Sequence, residues 1–543
     1  MIALLASLNW IPAQAHAQVV DWNERLEGEV YSTIFRYYTS PPRPPEMITE
    51  CLADEGDICY GGDHEDQGCF DTVGCRTEAQ IIRFLERLKR AVIEEPGVPY
   101  PIAHAVYAHT RLRRTATAVD LAMECASVGW WCDLLRGLAH HHRGMPERAE
   151  EHFRRGLGGA DPKLACRLAG VGELLTRHDR DSYDDLDCSA RTEFEARFWW
   201  LADPMFSMPG NDRWTEHISR RFELVLHEPI LWVQRGEHPR RHEASVVRRG
   251  QNDSWSRKPG RPQEQWAGKR AARYRFTPAS ALADGLRALS YELDGGLDDE
   301  GYTPATYGPF LELPAQFARF RQADSLLVAA ATDLSGIPLG TSRTVLIASD
   351  APESFPVVLG PVSERARPVF AAVLNAEPVV ISIESMDDNR AAGRARRGLL
   401  PLSSDGLVVS DVLLLDASDA ELPENRDEAL ALMFGKTTLP PVDEVSTYWE
   451  VYGAEEGQPV QIAISLTGGG RGILTRILRG VGILAETGAA EVSWTEPASG
   501  SVHPMALALD LSRLDAGDYE LRINVLAGDG NRATTIRSFR LEG

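Results

Sequence analysis

No cysteine occurs after Cys188 in this chain of 543 residues. Disulfide or thiolate chemistry is therefore confined to the first third of the sequence. Beyond the N-terminal segment no stretch approaches eighteen consecutive apolar residues, which excludes a membrane-spanning helix there. Basic residues are also in deficit, with 57 Lys and Arg against 79 Asp and Glu and a net charge of −22. A surface of that sign repels phosphate backbones and anionic lipid, so a general nucleic-acid or membrane binder is excluded. Catalytic signatures are missing as well. There is no His-Glu-x-x-His pair for zinc and no Gly-x-Ser-x-Gly elbow for a nucleophilic serine. The glycine run Gly468-Gly469-Gly470-Arg471-Gly472 lacks the Lys-Ser/Thr ending of a phosphate loop, and no cofactor is expected.

What is present begins with an apolar run from Ile2 to Pro12 that leads into Ala15-His16-Ala17. Small residues at 15 and 17 fit signal peptidase, so residues 1–17 read as a signal peptide and the mature protein as periplasmic or secreted. The eight cysteines are Cys51, Cys59, Cys69, Cys75, Cys125, Cys132, Cys166 and Cys188. An even count in an exported chain favours disulfides. The spacing from Cys51 to Cys75 does not match a zinc site, and Asp63-His64-Glu65-Asp66 does not match a calcium loop. Cys125 with Cys132, across the Val128-Gly129 turn, and Cys166 with Cys188 are the expected pairs among the 105 connectivities that eight cysteines allow.

Residues 18–76 form a cysteine-rich segment, followed by helical periodicity over 77–192. Apolar stripes mark helices at Glu78 to Glu94, Ile102 to Leu112, Ala116 to Ala126 and Trp130 to His142. Gly137, His140, Gly144, Ala149 and Phe153 sit at offsets that resemble a tetratricopeptide repeat, in which small residues let two helices approach and a large one fills the gap. Adjacent helical histidines point about 100° apart. His140-His141-His142 therefore cannot converge on one metal.

Residues 193–320 form a middle region. Phe198-Trp199-Trp200-Leu201-Ala202-Asp203-Pro204, followed by Pro209-Gly210-Asn211-Asp212-Arg213 and Glu216-His217, resembles the start of a bacterial GWxTD-type domain, although the pentapeptide itself is absent. The resemblance covers Glu193 to Arg221 and implies an exported or envelope-associated protein with helical-repeat or β neighbours. Trp199, Trp200, Asp203, Asn211, Asp212 and Arg213 are the candidate binding residues, because rings supply contact area and charges supply orientation. A packed helix-to-loop junction explains the same residues. Within this region Arg235 to Arg275 carries twelve Lys or Arg against four Asp or Glu. Three readings stay open for it: a polyanion groove with interleaved tryptophans, a solvated insertion that pairs with acidic surface, or a local shift of reading frame.

Short β-rich runs at Ser325, Thr344, Phe355, Val369, Pro378 and Val408 place a β-sandwich over 321–420. Pro440-Pro441 reads as a linker. An immunoglobulin-like sandwich follows over 445–543, marked by the Gly517-Asp518-Tyr519 step into an alternating strand. The expected fold class is therefore α then β, with a tetratricopeptide-like region, a mixed region and two sandwiches. The expected function is a non-catalytic envelope scaffold that binds a protein partner through its helical repeats and β domains. An envelope hydrolase or carbohydrate-binding enzyme with a carboxylate pair is the alternative, and it requires two buried carboxyls with raised pKa in one cleft.

Overall fold

The computed structural model describes residues 85–234, 246–247, 254–257, 266–269, 310–416, 421–468, 471–473, 476–479 and 491–543, apart from single positions at 87, 95, 112, 176 and 513. The signal segment, Cys51, Cys59, Cys69, Cys75 and most of 235–275 lie outside them. Helices occupy the N-terminal half and β-sheets the C-terminal part, in two compact units. The helical unit draws on Met1–Pro204 and Pro209–Thr277, and the β unit on Met205–Met208 and Tyr307–Gly543.

In the helical unit, described helical residues between 85 and 94 bury Leu88 and Ala91 against Ala105. There follow α1 (Pro99–Arg111), α2 (Thr115–Met123), α3 (Gly129–His142), α4 (Pro146–Gly159) and α5 (Pro162–Ala169). After them come α6 (Arg177–Asp184), α7 (Cys188–Ala202) and α8 (Asp212–Gln234). Local chemistry starts several of these. Asp161 caps α5 by accepting from the N–H groups of Lys163 and Leu164, with Pro162 as its first residue. Asp187 caps α7 through Ser189 and Ala190. The α3 and α4 helices pack closely because Gly137 has no side chain. A Cβ placed there would lie 2.4 Å from the ring of Phe153, which is fully buried. Disulfides join Cys125 to Cys132 and Cys166 to Cys188, as the spacing predicts.

Among the described residues of the basic segment, β1 (Ser254–Arg257) pairs antiparallel with β2 (Trp266–Lys269). The β unit then begins with β3 (Phe310–Glu312), β4 (Ala315–Gln322), β5 (Ser325–Thr332), β6 (Ser342–Ser349) and β7 (Val357–Val358). It continues through β8 (Val369–Asn375), β9 (Val379–Asp387), β10 (Ala392–Leu399), β11 (Val408–Val409), β12 (Leu413–Leu415) and the short helix α9 (Arg426–Ala431). The last strands are β13 (Thr438–Leu439), β14 (Glu444–Tyr452), β15 (Pro459–Gly468), β16 (Arg471–Ile473), β17 (Arg476–Arg479), β18 (Glu491–Pro497), β19 (Val502–Asp510), β20 (Gly517–Ala527) and β21 (Arg532–Leu541).

These strands make four layers. A sheet ordered β3-β10-β9-β6-β7 faces the sheet β4-β5-β8 across a core that includes Leu326, Val328, Leu346, Ile381 and Ile383. The sheet β11-β14-β19-β17, with β12 attached, faces β13-β21-β20-β15-β16 across a core around Trp449, Ile462, Leu507 and Ile523. A third core joins the two middle layers through Phe320, Ala329, Leu413 and Tyr448. Strand β5 is therefore covered on both faces, and its near-continuous apolar run Leu-Leu-Val-Ala-Ala-Ala follows from that position. Strands β11 and β12, which the sequence places at the end of the first sandwich, hydrogen-bond to β14 instead. The Tyr519 hydroxyl donates to the Asp515 carbonyl at 2.6 Å.

Candidate functional site

The residues singled out from sequence meet at the junction of α7 and α8, and they meet in the interior. Trp199, Trp200, Asn211, Asp212 and Arg213 are all buried, and Asp203 is partly so. Asn211 organises the turn: its Nδ2 donates to the Trp199 carbonyl at 2.6 Å and its Oδ1 accepts from the Trp214 N–H at 2.9 Å. This is N-cap chemistry that also ties α8 to the end of α7. The preceding Gly210 has φ +86°, and a Cβ there would strike the Glu147 backbone at 2.4 Å. Trp199 packs its ring on His217 with centroids 4.9 Å apart. Arg154 stacks over Trp214.

The feature that sequence reading missed is α8 itself, a helix whose polar residues are interior. Thr215, His217, Ser219, Arg220, Arg221 and Glu223 are each 5 % exposed or less. Burial of such groups requires partners, and most of them find one on α8 itself or on neighbouring segments. Glu216 bonds His141 Nε2 at 2.6 Å and Arg220, while Glu223 bonds His142 Nε2 at 3.0 Å. Arg220 also donates to the Val247 carbonyl, and Arg221 reaches Glu173 and the Gly170 carbonyl. The three consecutive histidines thus diverge as helical geometry requires, with His140 stacked on His152 instead. The i, i+4 pair Glu216 and Arg220 was the available sequence signal for this helix. Among the described residues no group of three potential ligands could hold a metal ion.

One carboxyl in the helical unit is displaced toward neutrality. Burial pushes Glu195 up to about 7, against the opposing pull of the Tyr183 hydrogen bond, Arg191 and Arg221. Its closest partner is the Tyr183 hydroxyl, a phenol and not a second carboxyl. Burial lowers His140 to about 4 and holds His217 well below its ordinary value. These groups oppose one another in the stability of the folded unit. Between pH 4.5 and 7 folded Glu195 keeps a proton that the unfolded chain releases, so its contribution grows as pH falls. The histidines lose stability as pH falls below 6.5, because only the unfolded chain takes up their protons. Glu195→Gln is therefore expected to stabilise the helical unit at pH 8 by up to about 3 kcal/mol. The variant should also lose stability more steeply than the wild type on acidification to pH 5. Urea titrations at pH 8, 6 and 5 check this, and parallel pH profiles for the two proteins would refute it.

In the β unit the connection from β18 to β19, which crosses from one sheet to the other, aligns a serine, a histidine and a carboxylate. Ser499 Oγ lies 3.0 Å from His503 Nδ1, and His503 Nε2 lies 2.7 Å from Glu496. The order is that of a nucleophile, its base and an orienting group. However, the Ser499 backbone N–H also donates to Nδ1, at 3.1 Å. A proton arriving on Nδ1 would be set against that fixed N–H, so the trio ties β19 back to β18 across their connection and does not activate Ser499. The β unit also exposes apolar side chains along one connection. Phe355 is 92 % exposed, and Val357, Val358 and Val362 are 58 %, 52 % and 54 % exposed.

No helix among the described residues is long and apolar enough to cross a membrane. No family model and no curated protein matches the chain. Among solved structures it is similar to one titled BspA_C_mut, at 10% identity and TM-score 0.15, covering 42% of this chain and 98% of that one. It is also similar to an Escherichia coli alpha-2-macroglobulin activated by porcine elastase, at 10% identity and TM-score 0.16, covering 42% of this chain and 22% of that one. A membrane-anchored protein from Corynebacterium diphtheriae aligns at 11% identity and TM-score 0.15, over 43% of this chain and 59% of that one. Likeness at these scores carries no argument about this chain.

Proposed function

We propose that the protein is a non-catalytic scaffold of the cell envelope that binds a protein partner through its β unit. The observation that carries this reading is the strip of Phe355, Val357, Val358 and Val362, four large apolar side chains held in the open on one connection. The helical unit offers less. A tetratricopeptide-like pair presents a concave face to peptides, but here α8 packs on α1, α3, α4 and α5. The candidate residues at the α7–α8 junction belong to that packing. Two disulfides agree with an oxidising compartment and support the reading of residues 1–17 as a signal peptide. The GWxTD-like assignment of 193–320 and the immunoglobulin-like assignment of 445–543 are part of the same reading and rest on sequence. The hydrolase alternative lacks its distinguishing feature at Glu195, where the raised carboxyl faces a phenol.

The test compares the wild-type chain with a Phe355→Asp/Val358→Asp variant as bait in envelope extract, at low and raised salt. The expected result is a stoichiometric partner that the wild type retains at both salts and the variant loses, since apolar contact is insensitive to screening. Equal retention by both baits, or no partner at either salt, would refute the proposal.

A further inference from the structure

Strand β8 ends its sheet, and among the described residues no strand pairs with its outer side. Its even positions belong to the inner side: the Ala366 and Pro368 carbonyls accept from Leu334 and Thr332, and Phe370 packs into the core with Ala372 and Leu374 against it. In an antiparallel ladder the backbone groups of alternate residues turn to opposite edges. Val369, Ala371 and Val373 therefore direct their N–H and C=O groups outward, and their side chains are exposed. The strand VFAAVLN has no charge, no proline and no bulge, the devices that normally blunt an exposed edge. Edge strand β7, by contrast, is only two residues long.

The outward positions are self-complementary when the strand is reversed. They run Arg365, Arg367, Val369, Ala371, Val373, Asn375, Glu377. Two copies placed antiparallel about a two-fold axis at Ala371 set Val369 against Val373, Ala371 against Ala371, and Arg365 against Glu377 at each end. Apolar residues meet apolar residues, the smallest side chain sits on the axis, and opposite charges meet at the rims. The Asn375 carbonyl already accepts from the Glu377 N–H, so the shared ladder spans 369 to 373. We infer that the protein self-associates by pairing β8 with β8 of a second copy. The sheet β4-β5-β8 then becomes six-stranded across an isologous interface. The pairing uses backbone groups and side chains of β8 and none of the Phe355 strip.

Sedimentation velocity on the full-length chain over a range of concentration tests the inference, with Ala371→Lys and Ala371→Glu variants alongside. The wild type is expected to sediment as a dimer of the 59.9 kDa chain at high concentration. Each variant places like charges on the axis and should sediment as a monomer with an unchanged circular dichroism spectrum. An equimolar mixture of the two should recover the dimer. A second readout is Ala371→Cys, whose partner Cα lies about 5.5 Å away in a hydrogen-bonded pair, within disulfide reach. It should cross-link to itself under mild oxidation. A wild type that remains monomeric at every concentration, or a dimer that survives Ala371→Lys, overturns the inference.

Discussion

Arg396→Met is expected to destabilise the β unit by about 3–5 kcal/mol, because it strands a buried carboxylate without its counter-charge. Arg396 and Glu384 have side chains 1 % and 0 % exposed, and Arg396 Nη2 lies 3.2 Å from Glu384 Oε1. Glu384 also accepts from Ser382 Oγ at 2.7 Å and from the N–H groups of Phe206 and Ser207 at 2.9 and 2.8 Å. The guanidinium stacks on the Phe206 ring at 3.6 Å. This one pair thus fixes Met205–Met208 within the β unit. Removing both charges together, as Glu384→Gln/Arg396→Met, should cost less than Arg396→Met alone. Denaturant titration of the four proteins in a double-mutant cycle measures the difference. A loss under about 1 kcal/mol for Arg396→Met would show that the pair is not a structural determinant.

Phe153→Ala is expected to cost the helical unit about 3–5 kcal/mol, since it empties a fully buried ring site between two helices. The ring lies over Gly137 and meets Trp214 edge-on with centroids 6.2 Å apart, so the hole would open beneath α8 as well. A second substitution distinguishes shape from hydrophobicity. Gly137→Leu alone should also be strongly destabilising, because even its Cβ would overlap the Phe153 ring. Combined with Phe153→Ala, the new leucine enters the vacated space and part of the stability should return. Thermal unfolding by circular dichroism reads all three. Additive losses in the double variant would contradict this account of how α3 and α4 meet.

These two sites show what was legible in the sequence and what was not. Strands β5 and β9 were visible because their β-branched and apolar runs are what a strand covered on both faces requires. The contact of Gly137 with Phe153 was visible through the resemblance to a tetratricopeptide repeat, and the two disulfides through the spacing of their cysteines. Strand β10 was not. Its sequence AGRARRGL carries three arginines and no apolar alternation, and it is a strand because it pairs antiparallel with the preceding β9, which sets Arg394 opposite Glu384 and Arg396 opposite Ser382. Helix α8 was hidden for the same reason, since its buried Glu, His and Arg residues find their partners on α3 and on the segment after α5. Buried polar pairing depends on contacts across long sequence separations and leaves no apolar period to read. The candidate residues from Trp199 to Arg213 lie together at the α7–α8 junction, but aromatics beside an Asn cap have the same sequence pattern in a pocket and in a packed corner.

The central claim, that a partner binds on the β unit and not in the helical unit, is tested most directly by photo-crosslinking in the intact envelope. A photoreactive amino acid would replace Phe355 in one strain and the exposed Thr117 of α2 in another. The account predicts a discrete adduct with a second protein from position 355 and none from position 117. Adducts from position 117 with nothing at 355 would contradict it and place the binding surface on the helices.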